Sequence, residues 1–257
     1  SDRATHAEEL AHAKSDFLAI MSHEIRTPLN GVIVPAQLLL GTRMDAEQTD
    51  HVQTIVESGA HLAAILQDVL DFSKIEAGKL ELERVPFSVR RALDSVKRVF
   101  DPKAKEKGLD LVVTVDADIP EGILGDPLRL RQILMNLVSN SLKFTETGRI
   151  LVEANMIRRF GVASAEERIR FLVQDTGIGM DPASTSRLFQ KFTQLESSTS
   201  RRFGGTGLGL SIAQGLAMGM GGRIEVDSAV GVGSSFFFSI PCEEATLVPE
   251  DETGTMP

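Results

Sequence analysis

The stretch from Ser22 to Gly31 reads SHEIRTPLNG and lies within a predicted helix over about residues 5–40. Apolar or small residues recur through this region at seven-residue spacing: Ala4, Ala11, Leu18, Ile25 and Val32. Such spacing is typical of a helix that packs along a partner helix. At about 100° per residue, His23 lies roughly 140° from Leu18 and is predicted to face water.

His23 has two interpretations. A lone histidine on a helix surface is ordinarily a solvated polar residue. Here Glu24 follows directly, and it can orient one ring nitrogen or accept its proton, which leaves the other nitrogen as a nucleophile. Pro28 removes a backbone donor about one turn later. Local chemistry leaves the surface residue and the nucleophile as equal alternatives.

A second helix is predicted from Asp45, a candidate N-cap with Gln48 completing a capping box, to Gly78, a candidate C-cap. Two long helices joined by a short loop form an antiparallel hairpin. One hairpin has too little to bury its two apolar faces, so pairing into a four-helix bundle is expected. Residues 1–80 are therefore predicted to be a dimerisation domain.

The pattern changes after about residue 80. Ser88 and Asp126 are candidate N-caps of two helices, the second with Pro127 at its first position. Five strands are predicted over residues 109–115, 149–157, 168–174, 223–227 and 234–240, with a further helix over 211–218. Helices on one face of a mixed sheet make residues 81–242 an α+β sandwich. Residues 243–257 are acidic and carry prolines, which predicts a linker or a disordered tail.

The composition excludes several classes of protein. A net charge of −9 argues against a nucleic-acid binder. The one cysteine, Cys242, cannot form an internal disulfide or a cysteine metal cluster and suits a reducing cytoplasm. No apolar run approaches ~18 residues, so no membrane segment is expected. The chain opens in mid-helix and is predicted to be a cytoplasmic piece of a longer protein, either membrane-bound or soluble.

Asn136, Asn140 and Lys143 share one face of the helix that follows Asp126. Asparagine is a poor residue for a helix interior, so two on one face are unusual. Their amide oxygens suit a hard cation such as Mg²⁺, and the lysine supplies a point charge for phosphate. The alternative is two solvated amides and a surface lysine.

Asp175 ends an apolar strand and is followed by Thr176, Gly177, Ile178 and Gly179. A carboxylate at a strand end, with glycines that allow close approach, fits recognition of a base amino group. A tight turn with no ligand is the equal alternative.

A third element, GGTGLGL, runs from Gly204 to Leu210 and leads into a helix. Its glycines allow backbone donors to surround a phosphate, and the helix N-terminus adds favourable potential. It is neither a Walker P-loop nor a Rossmann turn. The segment before it, Ser197 to Arg202, is predicted to be a flexible lid whose arginines can meet phosphate.

Five segments, SHEIRTPLNG, NLVSNSLKF, DTGIGM, LFQKFTQ and GGTGLGLSI, occur in this order. In order and spacing they resemble the H, N, first-glycine, F and second-glycine boxes of sensor histidine kinases. The resemblance covers residues 14–241 and implies a GHKL (Bergerat) ATP-binding domain after the helical hairpin. It also implies autophosphorylation by ATP, followed by transfer to an aspartate of a response-regulator receiver. Ser141 stands where alanine is commoner. The style of the boxes is similar to that of hybrid kinases, which carry a receiver in the same polypeptide.

The resemblance also implies roles for individual residues. His23 would accept the γ-phosphoryl group, with Glu24 as the base. Asn140 and Asn136 would ligate Mg²⁺, and Asp175 would read adenine. The remaining nucleotide-binding residues would be Lys143, Gly177, Gly179, Arg202, Gly204, Gly205, Thr206, Gly207, Leu208 and Gly209.

Thr27 lies four residues after His23, on the same helical face. The HExxT spacing resembles that of family members in which this hydroxyl helps to place a water for receiver dephosphorylation. The alternative is that Thr27 bonds back to a helix carbonyl freed near Pro28.

Two other functions compete with the kinase. An ATPase clamp of the chaperone or mismatch-repair kind would share the nucleotide-binding fold, but it would not need the histidine hairpin. A scaffold that only dimerises and binds nucleotide is the non-enzymatic alternative, and the intact boxes argue against it.

Overall fold

The computed structural model describes residues 21–22, 24–158, 167–189 and 207–247. The chain divides into two compact units, residues 1–80 and residues 81–257. Each unit is built around its own packed elements.

The first unit is a helical hairpin. Residues 24–40 form helix α1, which stays helical through both of its prolines. Helix α2 spans Ala46–Glu76. The capping box at its start is confirmed: Gln48 N donates to Asp45 Oδ1 at 2.8 Å, and Asp45 N donates to Gln48 Oε1 at 3.2 Å. Gly78 follows the helix with a φ of 64°, the left-handed conformation that suits glycine after a helix.

The two helices of the hairpin approach closely at Gly59. A Cβ there would lie 2.5 Å from Ile33 Cγ1, so only glycine leaves room for the buried isoleucine. A different set of apolar side chains remains exposed on the hairpin, among them Ile25, Val32, Leu39, Ile55 and Leu62. These residues recur every seven positions along each helix, so each helix keeps a second apolar stripe that its own hairpin does not bury.

The second unit is built on a five-stranded sheet. Its strands are β2 Asp110–Val115, β4 Arg149–Arg158, β5 Glu167–Asp175, β6 Glu225–Ala229 and β7 Gly233–Pro241. They lie in the order β2-β4-β5-β7-β6, in which the β2–β4 pair is parallel and the other pairs are antiparallel.

Three helices pack on this sheet: α3 Val89–Glu106, α4 Pro127–Phe144 and α6 Gly209–Gly219. A short helix α5, Pro182–Arg187, precedes α6. The predicted caps are confirmed, because Ser88 accepts from Arg91 N and Asp126 accepts from Arg129 N. Leucines of α4 are fully buried in the core, as are Phe171 and Phe238, whose stacked rings lie 5.0 Å apart between centroids. This arrangement confirms the α+β sandwich.

A second, smaller sheet was not predicted. Strand β1, Val85–Phe87, pairs antiparallel with β3, Ile123–Gly125. Residues 243–247, which the sequence assigned to a linker or disordered tail, are called the C-terminal strap below, and Glu244 of this strap forms an antiparallel bridge with Ile123 of β3. Leu124 N donates to Glu243 O at 2.8 Å, and Ala245 N donates to Gly122 O at 2.9 Å. Glu243 also forms an ion pair with Arg84.

Candidate functional site

Asp175 is a buried carboxylate at the end of β5. Only 5% of its surface is exposed, and three donors hold it. Its Oδ1 accepts from Gly177 N at 2.9 Å and from Ser234 N at 3.2 Å, while its Oδ2 accepts from Ser141 Oγ at 3.1 Å. The end of β5 therefore presents a carboxylate whose position is fixed from three sides.

The protonation of Asp175 reflects two opposing effects. Burial raises the pKa of this carboxyl above its ordinary value, because the charged form loses hydration. The hydrogen bonds from Gly177, Ser141 and Ser234 oppose this rise, because they favour the carboxylate. The ionised carboxylate accepts a hydrogen bond more strongly than the protonated acid.

The glycines after Asp175 are required by close contacts within the protein. A Cβ on Gly177 would overlap the carbonyl oxygen of Phe144, and one on Gly179, whose φ is 63°, would overlap that of Ala229. Ile178 N donates to the Phe144 carbonyl at 3.2 Å. The structure therefore contains the tight turn, which attaches the end of α4 to the hairpin between β6 and β7. The turn does not exclude a ligand at Asp175, so the two alternatives can both hold.

Helix α4 carries Asn136, Asn140 and Lys143. Asn136 Nδ2 donates to the carbonyl oxygen of Gly209 at 3.2 Å, which joins α4 to the start of α6. Asn140 is half-buried. Lys143 Nζ lies 5.1 Å from the ring centroid of Phe144, and partial burial lowers the pKa of this lysine.

The second glycine segment is described only at its end. Gly207 has a φ of 69°, Leu208 is buried, and Gly209 begins α6. Arg202, Gly204, Gly205 and Thr206 lie outside the described residues. Gly209 packs against the Asn136 side chain, so the two predicted elements meet at this point.

The hairpin residues are described in part. Glu24 and Thr27 lie on α1 and are exposed, whereas His23 lies outside the described residues. Arg26, between them, donates to Gln67 of α2 at 3.0 Å.

Two family models match the chain. Residues 13–78 match the His Kinase A (phospho-acceptor) domain. Residues 125–244 match the family described as histidine kinase-, DNA gyrase B- and HSP90-like ATPase. The chain belongs to the sensor histidine kinases and forms their catalytic core.

Similar proteins agree with this kinase core. The signal transduction histidine-protein kinase BarA of Escherichia coli K12 is 48% identical over 234 residues, which are 91% of this chain and 25% of BarA. Hybrid signal transduction histidine kinase B of Dictyostelium discoideum is 43% identical over 236 residues, covering 92% of this chain and 12% of the relative. The crystal structure of full-length ShkA in complex with AMPPNP matches at a TM-score of 0.72 and 39% identity, over 90% of this chain and 47% of that one. The kinase core thus spans about a quarter or less of these two curated relatives.

The kinase core brings more residues to Asp175 than the sequence predicted. Ser141 and Ser234 contact Asp175, yet neither was a candidate. Ser141 had a signal in the sequence: it falls on the same stripe of α4 as Leu134 and Leu137, which are fully buried. A polar residue on a buried stripe indicates a buried partner. Ser234 had none, because its backbone N–H reaches Asp175 only through pairing of β5 with β7.

None of the helices in the described part of the kinase core combines the length and the apolar character that a membrane span needs. In the same part of the chain, no group of three or more His, Cys, Asp or Glu side chains is placed so that it could hold a metal ion.

Proposed function

We propose that this core phosphorylates His23 with ATP bound in its second unit. A ring nitrogen of His23 attacks the γ-phosphorus and forms a P–N bond, while the bond from the γ-phosphorus to the β–γ bridging oxygen breaks and ADP leaves. Glu24 takes the imidazole proton. The observation that carries the proposal is Asp175, a buried carboxylate held by three donors beside α4. It is a ready acceptor for the adenine amino group.

The other parts of the site have roles in positioning. Lys143, Arg202 and the segment from Gly204 to Gly209 hold the phosphates, and a helix N-terminus at Gly209 favours their charge. Asn140 and Asn136 supply amide oxygens for Mg²⁺, a cation that binds through few protein ligands together with substrate phosphates. When bound, Mg²⁺ neutralises charge on the β- and γ-phosphates. The amide of Asn136 also joins α4 to Gly209, so Asn140 is the stronger candidate of the two.

The role of Asn140 is tested by alanine substitution. We expect Asn140→Ala to lower the autophosphorylation rate on the order of a hundredfold, because a metal ligand acts chiefly on the transferred group. Nucleotide affinity measured in a chelator should stay close to that of the wild type. Asn155→Ala, an exposed asparagine on β4, is the matched control. A parallel loss of rate and of metal-free affinity would make Asn140 a packing residue.

We further propose that the hairpin forms a homodimer. The exposed apolar stripes on α1 and α2 support this, since two hairpins joined along them give a four-helix bundle. The phosphohistidine would then donate its phosphoryl group to the aspartate of a receiver, in the same polypeptide or in a separate protein. The Dictyostelium relative is named a hybrid signal transduction histidine kinase, which supports this step. A cytoplasmic location belongs to the same proposal.

Receiver dephosphorylation is proposed for the same hairpin, with Thr27 placing the attacking water. We expect Thr27→Ala to leave autophosphorylation within about a few-fold and to lower sharply the loss of label from a phosphorylated receiver. Thr54→Ala is the matched control, because Thr54 is an exposed helical threonine whose hydroxyl bonds back to the carbonyl of Asp50 at 2.9 Å. If both Thr27→Ala rates fall in proportion, Thr27 supports the helix. If neither rate moves, the core is a kinase only.

A further inference from the structure

The two oxygens of Asp175 are held differently. Oδ1 accepts from two backbone N–H groups, those of Gly177 and Ser234. Among the described residues, Oδ2 accepts from the Ser141 hydroxyl alone. A carboxylate oxygen accepts about two hydrogen bonds. Oδ1 is therefore saturated, and Oδ2 keeps one position for a ligand donor.

Ser141 lies on α4 where its hydroxyl can fix the direction in which the free acceptor position of Oδ2 points. It is only 1% exposed, and it lies on the stripe of α4 that packs on the sheet. Serine in a helix interior commonly bonds back to a carbonyl of the preceding turn. Here its single proton goes across to Asp175 instead. The torsion that turns a carboxylate is soft and roughly two-fold, so without this contact the end of the side chain would be less fixed.

We propose that Ser141 is a positioning residue for adenine: its hydroxyl holds Asp175 Oδ2 so that the remaining acceptor position of this oxygen faces the exocyclic amino group. The inference rests on the proposed role of Asp175 in reading adenine. An amino group is a donor that complements this acceptor, whereas a purine without that group leaves it unpaired. Ser141 therefore contributes to selection of the base, although it does not touch the base itself.

The test is a comparison of two ligands and four proteins. The ligands are ATP and purine riboside 5′-triphosphate, which lacks only the amino group, both titrated in a chelator. The proteins are the wild type, Ser141→Ala, Ser141→Cys and Ser139→Ala. Cysteine keeps the approximate size of serine but is a weak donor. Ser139 is an exposed serine on the same helix and controls for the change in helix propensity.

We expect Ser141→Ala to weaken ATP binding roughly fivefold or more, the size of one hydrogen bond. Binding of the purine riboside triphosphate should stay near that of the wild type, so the preference for ATP shrinks. Ser141→Cys should behave like Ser141→Ala, and Ser139→Ala like the wild type. Ser141→Cys also gives the answer if the alanine variant does not fold.

Other results would overturn the inference. Equal weakening of both ligands would make Ser141 a packing residue, and unchanged affinity for both would remove it from the site. If the wild type itself binds both ligands equally, Asp175 does not read the amino group, and the proposed function loses that part. If the wild type discriminates and the Ser141 variants discriminate equally well, the role of Asp175 stands and only that of Ser141 fails.

Discussion

Replacing His23 by glutamine is expected to abolish phosphorylation of the protein by ATP. Glutamine keeps a polar side chain of similar reach, but its amide nitrogen is not a nucleophile, so no phosphoramidate can form. The measurement is incubation of the purified protein with [γ-³²P]ATP, followed by acid and by alkali. Label on the wild type should be lost in acid and kept in base, as for phosphohistidine.

A second histidine–acid pair supplies the control for this experiment. His51 Nε2 lies 3.8 Å from Glu47 Oε1 on α2, and both side chains are well exposed. His51→Gln should leave labelling unchanged if the acceptor is His23. The His23→Gln variant should still bind ATP, because the nucleotide site lies in the other unit. Acid-labile label that survives on His23→Gln would instead point to His51 or His61.

The second large effect is expected at Asp175. In Asp175→Asn the amide oxygen can still accept from Gly177 and Ser234, but an NH₂ group takes the position of Oδ2. In the proposed site this NH₂ group would face the adenine amino group, and two donors cannot form a hydrogen bond with each other. Loss of a hydrogen bond to a charged acceptor should weaken ATP binding roughly tenfold to a hundredfold. Isothermal titration of each protein in a chelator measures this change.

The pH dependence of binding gives Asp175→Asn a second readout. Burial raises the pKa of Asp175, and the carboxylate is the stronger acceptor, so wild-type affinity should fall as the pH drops through that raised value. The asparagine variant has no such group and should lack this decline. Asp227→Asn, at an exposed position of β6, is the control and should behave as the wild type. Equal ATP affinity in the wild type and Asp175→Asn, at an unchanged melting temperature without ligand, would reject adenine reading by Asp175.

The elements that the sequence predicted well are those with local signals. The capping box of Asp45 and Gln48 needs residues only three positions apart, and the same holds for the caps at Ser88 and Asp126. The five strands of the large sheet carry enough alternating apolar residues to be recognised singly. Asp175 was recognised because a polar residue directly ended such a strand.

The elements that the sequence missed depend on distant pairing. Strands β1 and β3 are three residues each, too short for any periodicity. The C-terminal strap, which pairs with β3, is acidic and looked like a tail, yet its backbone bonds to Gly122 and Leu124. The contact from Ser234 to Asp175 spans 59 residues and exists only once β5 and β7 pair. Long-range registers of this kind are not encoded in any short window.

The C-terminal strap also decides where this domain can be cut when it is joined to other proteins. Because Glu243 pairs with Arg84, the described part of the second unit begins and ends close together. A domain whose two ends lie close together can be inserted into another protein without a long linker. A chimera that respects this geometry is cut before Glu81 and after Leu247. Cutting at Cys242 would strip the strap from β3 and leave a bare strand edge open to unwanted pairing.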